Sequence, residues 1–277
     1  MSALLQSLRP LYDTPLGDRV RAWTGVKPPI NVRPRAADAT VSDLFPWRVD
    51  AAWQTCFELL NVPSLLYPEE RPRDRAALVL FGADGRTLST HEFELAPFEA
   101  RRVEIEPLLA GVTGIGALAC FHASPCLRAL ARDGSHLSER GYIGFRRRGD
   151  RLWSYVHGNL HVLARAPGDG EITHVGTTAR RDWLYRPQVR FDDARAFDLV
   201  YANPVDRPLT LSLRFIGSAG GDAGRKEIDL PTRGTVVVSH SNADGGIIAS
   251  VESRARCTLW RPIVFKHYQS HFDVFHG

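Results

Sequence analysis

What most constrains this chain is a recurrence. From about Ser42 onward, short β-branched or alternating runs bounded by Gly and Asp turns come twice in the same order. In the first half, Glu58-Leu-Leu-Asn61-Val-Pro63 leads to Leu78-Val-Leu-Phe81, then to Phe93–Pro97, Arg102–Ile105 and Thr113–Cys120. In the second, Leu199-Val-Tyr-Ala-Asn203-Pro204 leads to Leu211–Phe215, then to Ile228–Pro231, Thr235–Val238 and Gly246–Val251. Corresponding landmarks lie about 130 to 145 residues apart, and self-similarity at a near-constant offset is the signature of an internal repeat. The match reaches the last hairpin of each half: Ile143–Arg147 answers Ile263–His267, and Tyr155-Val-His157-Gly158 answers Val274-Phe-His276-Gly277.

Runs this short, separated by turn residues, belong to strands of a sandwich or barrel. Ala83-Asp-Gly-Arg86 and Arg148-Gly-Asp-Arg151 supply hairpin turns, where glycine takes positive φ without steric cost. Each half holds about seven or eight strand signals over roughly 110 residues, the size of one immunoglobulin-like sandwich. The expected fold is therefore all-β: two tandem immunoglobulin-like β-sandwich modules related by internal duplication, with a short, partly helical N-terminal arm. The arm spans 1–41, the first module 42–163 and the second 170–277, joined by the turn-rich Ala164–Gly170. In the arm, 16–24 allows two helical turns, and Lys27-Pro28-Pro29 and Arg33-Pro34-Arg35 force extended chain. Trp23 is expected to pack the arm onto the body. A short helix is expected over Ser124–Ala131, with Ser124 as N-cap and Pro125 at the first helical position.

Composition narrows the function classes. The 277 residues are 44% hydrophobic and 24% charged, which excludes a disordered, collagenous or coiled-coil chain. Of the 35 basic residues only Lys27, Lys226 and Lys266 are lysines. The arginines are spread along the chain and not gathered in a stripe, which argues against a nucleic-acid partner despite the net charge of +4. Cys56, Cys120, Cys126 and Cys257 have no CxxC spacing, so neither a zinc ribbon nor a disulfide is expected. No run approaches the ~20 apolar residues of a membrane span, and no apolar leader is read. The expected location is cytoplasmic, without a membrane partner, and a homodimer is allowed.

Three constellations could carry chemistry. Arg146 and Arg147 enter a hairpin whose return strand bears Trp153 and Tyr155, and the second half answers with Lys266 and Tyr268. Basic residues interleaved with aromatics suit an anionic or carbohydrate-like ligand, since guanidinium forks an anion while rings stack on apolar faces. The expected function is thus a non-catalytic binding protein for such a ligand or for a partner protein. The alternative is a metal-dependent enzyme, with a divalent ion held by His157, His271, Asp273 and His276 from the two terminal hairpins. No other cofactor is expected. Ser239-His240-Ser-Asn-Ala-Asp244 gathers hydrolase residue types but lacks a Gly-x-Ser-x-Gly elbow, and Gly217–Gly224 lacks the Gly-Lys-Ser/Thr of a phosphate loop. Trp47, Trp53, Trp183 and Trp260 are expected in the core or between modules.

Overall fold

The computed structural model describes residues 15–24, 34, 36, 38–132, 136–139, 141–158, 162–167, 171–257 and 261–277. The proline-rich stretch at 27–33, His161 and Trp260 lie outside the described residues. Helix α1 (Pro15–Thr24) precedes β1 (Thr40–Ser42), β2 (Phe45–Val49) and β3 (Trp53–Leu60). Helix α2 (Val62–Leu66) leads to β4 (Asp74–Gly82), β5 (Thr87–Leu95), β6 (Ala100–Glu104) and β7 (Gly114–His122). Helix α3 (Leu127–Arg132) leads to β8 (Ser138–Glu139), β9 (Tyr142–Arg147), β10 (Ser154–His157), β11 (Leu163–Arg165) and β12 (Ile172–His174). Then come β13 (Thr178–Tyr185), β14 (Ala196–Ala202), β15 (Leu209–Gly217), β16 (Asp222–Leu230) and β17 (Thr235–Ser241). The last are β18 (Ile248–Cys257), β19 (Ile263–His267) and β20 (Phe272–His276).

The all-β class holds, but the organisation is five four-stranded sheets and not two immunoglobulin-like sandwiches. Sheet I runs β2-β7-β4-β5, sheet II β10-β9-β3-β6, sheet III β12-β11-β1-β8, sheet IV β13-β18-β15-β16 and sheet V β17-β14-β19-β20. In an immunoglobulin sandwich the first strand joins the second and the last joins the sixth. Here β2 instead pairs with β7, and β9 with β3. The cause is the corner after β2. The Asp50 carboxylate accepts hydrogen bonds from the backbone N–H groups of Ala52 (2.7 Å) and Trp53 (2.9 Å), turning the chain out of sheet I into sheet II before a hairpin can form. Sheet III also departs from the expected boundaries, because Ala164 and Arg165 belong to strand Leu163–Arg165 rather than to the linker. Five sheets of four strands is the inventory of a five-bladed propeller; each sheet in this chain gathers strands from separate stretches and none is a simple meander.

Strand β4 and strand β7 read as nearly continuous apolar runs because both faces of sheet I are covered. Leu78, Leu80, Leu118 and Cys120 join Phe57 and Phe145 of sheet II in one core cluster. Alternate residues Val79, Phe81, Ala117, Ala119 and Phe121 join Leu44, Val162 and Leu163 in another. Trp47 is fully buried, and its indole N–H lies 3.1 Å from both Phe81 O and Ala117 O. Gly116 makes room for that ring, since a Cβ there would meet Trp47 Cζ2 at 2.5 Å and Phe81 O at 2.1 Å. Sheets IV and V close the second core around Phe197, Leu199, Leu211, Leu213 and Val251. The other face of sheet V (Val200, Ile263, Phe265, Val274) joins the first-half cluster, where Trp53 meets Phe265 and Phe272 edge-on at 5.0 and 4.8 Å.

Strand order is the same in both halves: β13-β18-β15-β16 reproduces β2-β7-β4-β5, and β17-β14-β19-β20 reproduces β6-β3-β9-β10. The likeness extends to single residues. Asn61 and Asn203 are both fully buried after equivalent strands. Asn61 Nδ2 donates to Pro72 O (3.0 Å) and Ala96 O (2.9 Å), and Asn203 Nδ2 donates to Leu230 O (3.0 Å) and Pro231 O (2.9 Å). Each asparagine N–H reaches a carbonyl past the same turn, Glu99 O or Gly234 O at 2.9 Å. Inside those turns Phe98 and Arg233 both take positive φ, 63° and 59°.

Two sequence expectations need correcting. The register makes Gly144, not Phe145, the counterpart of Phe265, since Cys56 faces Gly144 as Asp198 faces Phe265. One residue of slip exchanges the two faces of a strand, so apolar alternation alone misaligns the hairpins. Trp183 is 41% exposed on β13 rather than in the core. Trp23 is exposed on α1, and its ring meets the Arg180 guanidinium of β13 at 5.7 Å.

Candidate functional site

Sheet II turns one side to the core and the other to solvent, and the strand period sorts its side chains accordingly. Trp53, Phe57, Ile143 and Phe145 point inward. Gln54, Glu58, Arg146, Trp153 and Tyr155 are half-buried and Arg102 is exposed on the outward side. Gly144 acts as a saddle there: a Cβ would lie 2.6 Å from Tyr155 Cε1 and 2.7 Å from Cys56 Sγ, so only glycine lets the tyrosine ring lie across the sheet. Tyr155 Oη then donates to Glu58 Oε1 at 2.8 Å. Arg102 Nε donates to the same oxygen at 2.8 Å, with its guanidinium 5.7 Å from the Tyr155 ring and 5.9 Å from the Trp153 ring. Arg146 lies 4.4 Å over Trp153 and is fixed by Gln54 Oε1, at 2.8 Å from Nη2 and 3.2 Å from Nε.

The electrostatics are those of a tethered, cation-bearing aromatic surface. Partial burial pushes the Glu58 carboxyl upward, but hydrogen bonds from Arg102 and Tyr155 outweigh it and hold the group below the ordinary carboxylate value. Burial and the bond to Glu58 push the Tyr155 phenol well up, so it stays a donor. Burial also raises the Cys56 thiol to about 11, which leaves it unreactive. Arg102 commits Nε to Glu58, and both its terminal nitrogens remain as donors on the solvent side.

The remaining sequence candidates are dispersed. Arg147 points to the opposite face, where Nη2 meets His267 Nδ1 at 2.8 Å and the guanidinium sits 5.1 Å over Phe272. It thereby joins a junction between the halves: Asp198 Oδ2 accepts from Arg48 Nη1 at 2.7 Å and lies 3.0 Å from His267 Nε2. Lys266 is buried and bonded to Asp193, which also accepts from Tyr268 Oη at 3.3 Å. The second hairpin therefore builds no matching surface. His157 and His276 do come together, with ring centroids 4.9 Å apart beside a cavity of about 40 Å³ that Asp43 and Arg261 also line. His276 Nε2 contacts His157 O. His271 stacks on Tyr268 at 4.5 Å, at the other end of β20, about 16 Å along the strand from His276. Asp273 is exposed and registers with Lys266, so the four proposed metal ligands do not converge. His240 Nε2 contacts Gly246 O at 2.8 Å, and Asp244 is bonded by Ser241, so no Ser–His–Asp arrangement forms over 239–244.

Sequence reasoning missed a buried ionic cluster. His122 Nδ1 lies 2.5 Å from Asp74 Oδ2, and Nε2 lies 2.7 Å from Glu139 Oε2 and 4.0 Å from Cys120 Sγ. All four side chains are buried. Burial pushes the imidazole down, but Cys120, Asp74 and Glu139 around the ring outweigh it and hold His122 protonated well above its usual range. The legible signal was Cys120-Phe-His122, two ligand-type residues sharing one face at the end of a buried strand.

No protein-family model matches the chain, and no curated protein sequence does. Among solved structures, a beta-glucuronidase from glycoside hydrolase family 2 is similar at 10% identity and a TM-score of 0.18, over 85% of this chain and 23% of that one. A family 2 member from Bacteroides cellulosilyticus DSM 14838 is similar at 12% identity and a TM-score of 0.14, over 84% of this chain and 27% of that one. The Bacteroides uniformis beta-glucuronidase follows at 13% identity and 0.15, over 84% and 25%. The chain thus spans about a quarter of the length of these structures, and likenesses so distant carry no functional argument. Among the described residues no helix is long and apolar enough to cross a membrane.

Proposed function

We propose that this chain is a binding protein whose two halves are copies of one strand arrangement, and that the open face of sheet II in the first copy takes an anionic carbohydrate. The duplication reading is supported by the repeated strand order and by the shared asparagine and positive-φ turn. The binding reading rests on one observation: Trp153 and Tyr155 lie on a solvent-facing sheet surface with Arg102 and Arg146 against their rings. Exposed ring surface offers the apolar face of a sugar a place to stack. Guanidinium nitrogens offer a carboxylate paired donors. Glu58 and Gln54 already hold those cations in place, so little ordering is left for the ligand to impose.

The counterpart positions in the second copy sharpen the reading. Tyr155 corresponds to Val274 and Glu58 to Val200, both buried against the first half. The same face is thus closed in one copy and open, polar and aromatic in the other.

The test is a titration of the full chain with a uronic-acid oligosaccharide and with its uncharged counterpart, followed by tryptophan fluorescence and calorimetry. The acidic sugar is expected to bind, the uncharged one at least tenfold more weakly. Trp153→Ala and Arg102→Ala are each expected to lower affinity about tenfold or more. Failure of both sugars to bind, or binding unchanged in a Trp153→Ala/Arg102→Ala variant that still melts cooperatively, contradicts the reading.

A further inference from the structure

The two halves put different chemistry at one place in the same scaffold. Asp74 pairs with Leu95 as Leu209 pairs with Leu230, and Leu78 pairs with Cys120 as Leu213 pairs with Ser253. Two residues past Cys120 stands His122, and two past Ser253 stands Ala255. In the second half these positions are Leu209, Ser253 and Ala255, all buried without a charge. The scaffold therefore closes its core there with ordinary packing. Replacing a buried ionic cluster by apolar residues is often neutral or stabilising, so stability alone does not account for the one in the first half.

The cluster has the layout of a metal centre and its outer support. Cys120 Sγ, His122 Nε2 and one Glu139 carboxylate oxygen all lie within 4.8 Å of one another. Asp74 Oδ2 sits on the other imidazole nitrogen at 2.5 Å, and its Oδ1 accepts from the Ala123 N–H at 3.3 Å. A carboxylate on the far nitrogen is what fixes the tautomer and orientation of a ligating histidine. Bond lengths of about 2.3 Å to sulfur and about 2.0–2.2 Å to nitrogen and oxygen put tetrahedral S···N at about 3.6 Å and N···O at about 3.3 Å. The observed 4.0 and 2.7 Å differ from these by roughly half an ångström each, within the reach of small side-chain torsions.

We infer that Cys120, His122 and Glu139 bind a zinc-class divalent transition-metal ion, with Asp74 as the outer carboxylate. Thiolate and imidazole favour such an ion over magnesium or calcium. The ion ties β7 of sheet I to β8 of sheet III. This site is separate from the sheet II face, and neither proposal depends on the other.

The experiment uses the full chain, analysed for metal as purified without chelator and again after refolding from urea with cobalt(II). About one equivalent of ion per chain is expected, with a thiolate-to-cobalt absorption band. Cys120→Ala is expected to lose the band while melting cooperatively, and Cys257→Ala, another buried thiol, to keep it. Asp74→Asn is expected to weaken binding 10- to 100-fold. Absence of metal both as purified and after refolding, or a cobalt band that survives Cys120→Ala, overturns the inference.

Discussion

Set side by side, the two halves share their strand order, their buried asparagine and the positive-φ turn that follows it, and differ in nearly everything their sheets carry. The face of sheet V that carries Val200, Ile263, Phe265 and Val274 lies against the first half, with Asp198 paired to Arg48 there; the equivalent face of sheet II is open and bears Arg102, Arg146, Trp153 and Tyr155. The first half buries Asp74 and His122 where the second has Leu209 and Ala255. The lesson is that this scaffold demands few specific residues. It needs polar side chains at chain corners, where backbone carbonyls would otherwise go unsatisfied, and alternation elsewhere. The remaining positions are free to diverge, so function is to be sought where the halves disagree.

The comparison can be broken most forcefully at the ionic cluster. With metal removed, Asp74→Leu alone leaves a buried imidazolium short of one carboxylate and is expected to lose about 3–5 kcal/mol in urea unfolding. The triple change Asp74→Leu/His122→Ala/Glu139→Gln, which brings the first half close to the second, is expected to recover most of that loss. A triple variant as unstable as the single one would mean the two cores are not interchangeable.

The shared corners give a smaller and more symmetrical effect. Asn61→Ala and Asn203→Ala each strand buried carbonyls, and each is expected to lower stability by roughly 1–3 kcal/mol. Their urea midpoints should shift by similar amounts. If one is silent, the correspondence between the corners is wrong.

Smaller again is the pH response of the junction between the halves. Burial raises the Asp198 carboxyl, but hydrogen bonds from His267, Ser239 and Arg48, with the Arg48 charge, outweigh it and hold the group well below its ordinary value. A carboxylate depressed in the folded state stabilises that state fully above its unfolded value of about 3.9, and the contribution fades as pH falls from there toward the folded value. Urea midpoints of the parent chain should therefore drop below about pH 4 more steeply than those of Asp198→Asn. Parallel profiles would remove Asp198 from the account. The smallest effect belongs to the open face, where Arg102→Ala is expected to change stability by about 0.5 kcal/mol or less while weakening the ligand.

Much of the architecture was legible because its signals are local. Alternation, Gly85 and Gly149 at positive φ, and the recurring Asn61 and Asn203 mark strands and corners without any knowledge of partners. Sheet membership was not legible, because whether β2 joins β3 or β7 depends on how Asp50 turns the corner. The hairpin alignment slipped by one at Phe265 for a related reason: two apolar strands look alike in either register, although the faces they bury are opposite. Of the candidate ligand residues, Arg146, Trp153 and Tyr155 share a face because alternate residues on paired strands must. Arg147, one residue on, necessarily points away. The buried cluster escaped because Asp74, His122 and Glu139 are far apart in sequence and only the pairing of β4 with β7, and of β1 with β8, brings their strands together.

The claim that ligand recognition resides in one half only is tested most directly by hydrogen–deuterium exchange on the full chain with and without the uronic-acid oligosaccharide. Slower exchange is expected across 54–60, 100–104 and 142–157, with 196–202 and 263–276 unchanged. Protection spread over both halves, or centred on 263–276, would contradict it.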